Sequence, residues 1–255
     1  MLVNRVNGVD QAFNLTNVTS VRRSANWMTS NMAAVGAQTL SYSVGGNTLV
    51  TSGGQAQLLN ARGVRYYTDA FAATGGTIYG SYLWQTPTLN ATNEWSGFFD
   101  IRNATGGLDA RIGVGVNDTA QTNLQFRYGG TVNTTTLAMA QATTCFMVYK
   151  AEYNASGQMT RLDLWVNPAD LTSEASAGTS FAYTGTIGGG GFGGFLYEKG
   201  NTGGSPASQN PTFDEFRVGT TWADVTPIPE PSAFAALAGL GALGLAAFGR
   251  RRRVA

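Results

Sequence analysis

The chain has 255 residues, 12% of them charged and 43% hydrophobic, with 34 glycines. This apolar content builds a sizeable core and excludes a disordered chain, and the length suits one all-β domain plus a tail. Four of the 16 basic residues are Arg250 to Arg253 and one of the 15 acidic residues is Glu230, so the body ahead of Pro229 carries 12 basic and 14 acidic groups, a net charge of −2. No broad basic field exists for a phosphate backbone, which argues against nucleic acid as a partner.

Histidine is absent and Cys145 is the one cysteine. The Ser-His-Asp triad, the Cys-His pair, histidine or thiolate metal sites and an internal disulfide are all excluded. Any enzyme built from this chain works with carboxylates, Tyr, Lys or Arg, and carbohydrate cleavage is the main reaction class left. Cys145 lies in an apolar run and reads as a core thiol.

Residues 1–40 form a poorly defined N-terminal segment with no apolar h-region of a signal peptide. From Ser41 onward the pattern is strand, turn, strand. Thr77 to Trp84 is β-rich and preceded by Gly75-Gly76. Trp95 to Arg102, Arg111 to Val116 and Asn123 to Tyr128 follow, each bounded by Gly, Pro or Asn. The clearest pair is Thr144 to Tyr153 and Thr160 to Val166, joined by the turn Asn154-Ala155-Ser156-Gly157 and stopped by Asn167-Pro168. In the second member Leu162, Leu164 and Val166 face one way, Asp163 and Trp165 the other. Gly188 to Gly194 reads as a flexible loop or strand edge, because no Lys-Ser/Thr follows to make it a phosphate loop. A last strand, Phe213 to Gly219, precedes Trp222 to Val225. The expected fold is all-β, an antiparallel two-sheet sandwich over 41–226.

The chain ends in Pro229-Glu230-Pro231, an uncharged run from Ser232 to Gly249, and Arg250-Arg251-Arg252-Arg253. The run is about the minimum for spanning a bilayer as a helix. The arginines orient its end toward the cytoplasm, which puts the body on the opposite face.

This tail, residues 227–255, closely resembles the PEP-CTERM sorting signal of Gram-negative bacteria. The resemblance implies an exosortase-type protease as partner, with Pro229, Glu230 and Pro231 as the processing motif. It also implies transient anchoring in the inner membrane and an exported, cell-surface or extracellular destination. A body outside the membrane needs an export route, so the expectation is a start upstream of Met1 that supplies a signal peptide. In the body, the Gly75-Gly76-Thr77 strand, Val148-Tyr149-Lys150, Leu164 to Pro168 and Phe213 to Gly219 together resemble LamG-like, concanavalin A-type jelly rolls. Such domains imply a sandwich with a concave face. The opening strand of that pattern is not recognisable in residues 1–40.

Hydrolases with this sandwich carry alternating carboxylates in a Glu-x-Asp-x-x-Glu strand, and retaining chemistry needs two carboxyls about 5 Å apart. No such triplet occurs. Asp214 and Glu215 point to opposite faces of a strand and read as makers of edge or loop hydrogen bonds. Glu94 and Asp100 complete no motif. The expectation is no catalytic residue and no required cofactor. Calcium stays open, with Asp109 and Asp118, in loops flanking one strand, as candidate ligands against their reading as ordinary turn aspartates. Trp84, Trp95, Tyr82 and Trp165 lie in strands, where core packing is the default reading for each. Trp165, which shares its face with Asp163, is with it the candidate for an open, glycan-facing surface against that reading. The activity expected is a non-catalytic surface or matrix component that binds polysaccharide; a glycoside hydrolase or polysaccharide lyase of the same fold and a purely structural matrix protein are the alternatives.

Overall fold

The computed structural model describes residues 40–51, 55–58, 62–71, 74–85, 97–103, 108–114, 123–128, 131–138, 142–199, 201–202, 205–206 and 211–228, and the short strand pieces 5–6, 9–10, 28–29 and 32–34. Side-chain surroundings are described for 40–51, 55, 74–85, 101–103, 142–194 and 211–228.

Two seven-stranded sheets make up the body. The strands are β1 Met28–Thr29, β2 Met32–Ala34, β3 Ala56–Leu58, β4 Arg62–Phe71, β5 Gly76–Gln85, β6 Gly97–Asn103 and β7 Leu108–Val114. They continue as β8 Asn123–Tyr128, β9 Thr131–Ala138, β10 Thr144–Tyr153, β11 Met159–Val166, β12 Phe181–Ile187, β13 Phe192–Lys199 and β14 Thr212–Gly219. Sheet I runs β9-β8-β7-β6-β13-β4-β1, and sheet II runs β12-β11-β10-β5-β14-β3-β2. The pairings are antiparallel, and the chain changes sheet repeatedly, at β1–β2, β3–β4, β4–β5, β5–β6, β9–β10, β12–β13 and β13–β14. A single helical turn, α1 Trp222–Val225, follows β14.

The expected all-β sandwich is present, and its strands sit close to the expected positions. β10 and β11 pair across the turn 154–157, where Gly157 adopts φ +66° and donates to the Asn154 carbonyl at 2.9 Å. β11 stops where predicted. Asn167 turns into the left-handed region at φ 52°, and its Oδ1 accepts the Phe146 amide at 2.8 Å. Ahead of position 41, Met28–Thr29 pairs with β4 and Met32–Ala34 with β3, so these two short strands also belong to the two sheets. Gly188 to Gly194 is also resolved into its parts. Its first residues form a loop and Phe192 opens β13, an interior strand of sheet I.

Sheet II has two buried faces, and strand alternation separates them. On one face Gly80, Tyr82 and Trp84 of β5 lie beside Cys145, Met147 and Tyr149 of β10 and Phe213 and Val218 of β14, all buried. Tyr82 stacks on Phe216 at 5.5 Å and Trp84 on Phe213 at 5.4 Å. Cys145, Tyr82 and Trp84 are therefore core, as read from the sequence.

On the opposite, outer face, Tyr79, Leu83, Phe146, Val148 and Trp165 form a cluster with Leu40, Leu49, Leu171, Ala177, Trp222 and Val225. The covering residues come from the segment 40–50, the loop after β11 and α1. Because the outer face is closed by these loops, the aromatic face is the one left to meet sheet I.

Among the described residues no helix is long and apolar enough to cross a membrane. Pro229 to Pro231, the expected helix 232–249 and the arginines 250–253 lie outside the described residues.

Candidate functional site: a polar ledge on the outer face of sheet II

Register dictates where polar groups collect. Lys150 sits opposite Tyr79 on one side and Asp163 on the other, and Glu152 sits opposite Thr77 and Arg161. The next rows along the same face are Ser81, Val148 and Trp165, then Leu83 and Phe146. Polar rows therefore occupy one end of the outer face, and apolar rows continue under α1.

Glu174, in a 3-10 turn capped by Ser173, reaches over this end. Its Oε2 accepts the Tyr79 hydroxyl at 2.5 Å and its Oε1 accepts Lys150 Nζ at 3.0 Å. Lys150 Nζ lies 3.5 Å from Glu152 and 5.9 Å from the centre of the Tyr79 ring. Beside them Arg161 donates twice to Asp163, at 2.8 Å through both Nε and Nη2. The charged side chains stay partly open to solvent: Lys150 is 21% exposed, Glu174 32%, Glu152 40% and Arg161 43%.

The electrostatics fix the protonation states. Burial, reinforced by the bond to Glu174, pushes the Tyr79 hydroxyl up to about 12. Burial alone raises the Glu174 carboxyl, but the hydrogen bonds from Tyr79 and Lys150 and the Lys150 charge outweigh it and hold the group below its ordinary value. Burial likewise lowers Lys150, and its bond to Glu174 and the surrounding negative charges reverse that into a net rise. At neutral pH the ledge holds a protonated phenol, an ammonium and a carboxylate. None of the three is poised near neutrality for proton transfer. The arrangement presents fixed donors and acceptors.

A second charged group is buried. Asp214 Oδ2 accepts the Leu40 amide at 2.8 Å, and its Oδ1 accepts the Glu215 amide at 2.9 Å. Arg217 pairs with Glu215 at 2.5 Å and donates to the Val50 carbonyl. β14 bulges between Asp214 and Arg217, and Glu215 sits at φ 52°. The bulge brings Glu215 and Arg217 together and ties the 40–50 segment to the sheet. Asp214 and Glu215 make the expected loop contacts, but on an interior strand rather than at an edge.

The core reading of Trp165 holds, and the glycan-facing alternative for Trp165 and Asp163 is the one to correct. Trp165 is 4% exposed and meets Trp222 edge-on at 5.3 Å, and Asp163 is 3% exposed under its pair with Arg161. Neither lines an open surface, because α1 and the loop after β11 cover that face. Among the described residues the exposed large apolar side chain is Val50, which offers no ring for stacking. The calcium pair changes too: Asp109 lies within β7 rather than in a loop, and Asp118 and Glu94 are outside the described residues, as is Trp95. Asp100 lies in β6, across from Arg111. Among the described residues no group of three or more acidic or cysteine side chains gathers to hold a metal. Tyr79, Lys150, Glu152 and Glu174 were not singled out by the sequence reading. The alternation of β10 and β11 carried the signal for Lys150, Glu152 and Arg161, but Glu174 lies in a loop with no periodicity.

The body is held in place up to the tail. Val50 donates to the Pro227 carbonyl at 2.9 Å, and Ile228 packs on the outer-face cluster. Residues 227–253 match the PEP-CTERM protein-sorting motif. The chain carries a PEP-CTERM sorting tail. That tail supports export and sorting to the cell surface, and it begins where the sandwich ends. The sequence matches no curated protein. Among solved structures the chain is similar to the catalytic domain of a GH131 beta-glucanase from Podospora anserina, at 13% identity, covering 69% of this chain and 82% of that one with a TM-score of 0.40. It is also similar to an endo-beta-1,4-glucuronan lyase from Trichoderma reesei, at 11% identity, 81% and 100% coverage and a TM-score of 0.42. The carbohydrate-binding module CBM66 from Bacillus subtilis is similar at 9% identity, 68% and 91% coverage and a TM-score of 0.38. The sandwich assignment rests on the strand pairing of this chain, not on these likenesses.

Proposed function

We propose that this chain is an exported cell-surface or extracellular-matrix protein, processed at its tail by an exosortase-type protease and carrying a non-catalytic, LamG-like jelly-roll body. The observation that carries the sorting half is the motif over 227–253, which follows the sandwich without a spacer. Processing near Pro229-Glu230-Pro231 releases the body from an inner-membrane anchor formed by 232–249, with Arg250 to Arg253 on the cytoplasmic side. Replacing Pro229, Glu230 and Pro231 with alanine in an exosortase-positive host is expected to leave a longer, membrane-bound species. Mutant and parent running at the same size would remove the sorting reading.

The non-catalytic half is supported by the state of four described carboxylates. Glu174, Asp163, Asp214 and Glu215 are each committed to a phenol, an amide or a cation of the fold itself. A catalytic carboxylate pair has one member free to attack or to give up a proton. The partly exposed ledge of Tyr79, Lys150, Glu152, Arg161 and Glu174 favours binding of hydroxyl-rich polymers over a purely structural role. A glycan array on the purified body tests this, with Lys150→Ala expected to lose signal. Release of reducing ends or of unsaturated uronates from any arrayed polymer would replace the binding reading with the hydrolase or lyase one.

A further inference from the structure

The last described residues form a strap that is fastened at nearly every position. Thr221 caps α1 with a capping box: its Oγ1 accepts the Asp224 amide at 3.3 Å, and Asp224 Oδ2 accepts the Thr221 amide at 2.9 Å. Trp222 is buried against Trp165, and its Nε1 donates to the Leu171 carbonyl at 3.0 Å. Ser81 Oγ donates to the Val225 carbonyl at 2.6 Å. Thr226 is 1% exposed; its amide bonds the Trp222 carbonyl at 3.0 Å and its hydroxyl lies 3.0 Å from the Leu171 carbonyl. The Pro227 carbonyl is held by Val50, and Ile228 packs on the cluster. The next residue is Pro229, the first of the processing motif.

A protease that engages a peptide in extended form uses the main-chain groups on both sides of the cleaved bond. Here the groups on the N-terminal side are already bonded to the sandwich. From Ile228 to Ser232, where the apolar run begins, the chain can reach at most about 14 Å, which limits how far a free segment extends from the docked strap to a membrane-embedded enzyme. Resting on the sorting reading above, we propose that the strap Trp222–Ile228 is a latch that limits tail processing, so that the exosortase-type protease acts on the fraction of molecules in which the strap has peeled off sheet II. Apparent reactivity then scales with that fraction.

The test uses the full chain, exported by a secretion signal fused ahead of Met1, in hosts with and without the exosortase, and follows loss of the tail by pulse-chase. One variant inserts eight Gly/Ser residues between Ile228 and Pro229, leaving the strap docked but adding up to about 26 Å of reach. A second, Trp222→Ala, loosens the strap itself. Both are expected to shorten the processing half-time, by about ten-fold where the peeled fraction is one in ten. The spacer variant keeps every contact of the fold, so its behaviour does not depend on stability. A spacer variant processed at the parent rate or slower would overturn the latch and leave the sorting reading intact. Processing unchanged by removal of the exosortase would overturn both.

Discussion

Gly80 is required by a close approach rather than by backbone conformation. It lies in β5 opposite Tyr149 of β10, and the Tyr149 ring covers it. A Cβ built at Gly80 would stand 2.1 Å from Tyr149 Cζ and 2.4 Å from Cε1. Ordinary carbon contacts need about 3.5 Å, so Gly80→Ala must displace the ring by roughly 1.4 Å. Tyr149 is 1% exposed, which leaves it no open side to move into. Overpacking of this kind costs about 1–3 kcal/mol, and the overlap here points to the upper end. Reduced entropy of the unfolded chain returns about 0.4–1 kcal/mol, so the expected net loss is about 2 kcal/mol.

Urea unfolding of the purified body measures this. With an m-value of about 2–3 kcal/mol/M for a domain of this size, the midpoint falls by roughly 0.7–1 M. The mechanism is tested by repeating the substitution in a Tyr149→Ala background. With the ring gone, Gly80→Ala becomes neutral or stabilising, a coupling of about 2–3 kcal/mol. A single variant as stable as the parent, or equal costs in both backgrounds, would refute the account.

Alkali is expected to unfold the body cooperatively. Burial pushes Tyr42 and Tyr79 up to about 12 and raises Tyr82 and Tyr149 as well, while Lys150 is raised by its bond to Glu174. Unfolded tyrosine and lysine lose protons from about pH 10, so the native state loses stability above that pH, and tyrosinate absorbance should rise together with loss of structure rather than before it. In acid the sign reverses for Glu174. Its depressed folded value stabilises the native state above the unfolded value of about 4.3, and this contribution disappears as pH falls through the folded one. Glu174→Gln should therefore differ from the parent at neutral pH and converge with it in acid, as followed by thermal melts across pH. Arg217→Met leaves Glu215 buried with its ion pair broken, and is expected to cost about 3–5 kcal/mol in urea unfolding.

Much of the fold was legible because strands announce themselves by alternation and punctuation. β8, β10, β11 and β14 were located within a residue, each an alternating or apolar stretch closed by Gly, Asn or Pro. The start of β13 was only partly legible, because the glycines of Gly188 to Gly194 read equally as a flexible loop or a strand edge. Here glycine sits inside a sheet, with Gly194 at φ 153° at a register shift against β6 and β4. β1 and β2 are two and three residues long, too short to show any period.

The site was less legible for a related reason. Alternation says which residues share a face, and it correctly put Asp163 and Trp165 together, opposite Leu162 and Leu164. It does not say what lies over that face. The covering pieces are the segment 40–50, where Ser43–Val44 pairs with Asn47–Thr48 in a hairpin, an irregular loop and one helical turn, none with a hydrophobic repeat. One local signal was available: Thr221-Trp222-Ala223-Asp224 has the spacing of a capping box, with an acid three residues after the hydroxyl. Read that way, a tryptophan at the first helical position after the last strand supplies a lid for the apolar rows and leaves the core reading of Trp165 without its glycan-facing alternative. The same turn sets how far the chain is held before its tail. Closure of the outer face and fastening of the sorting motif to the body are therefore one structural fact, and a substitution at Trp222 should move both the burial of Trp165 and the rate at which the tail is removed.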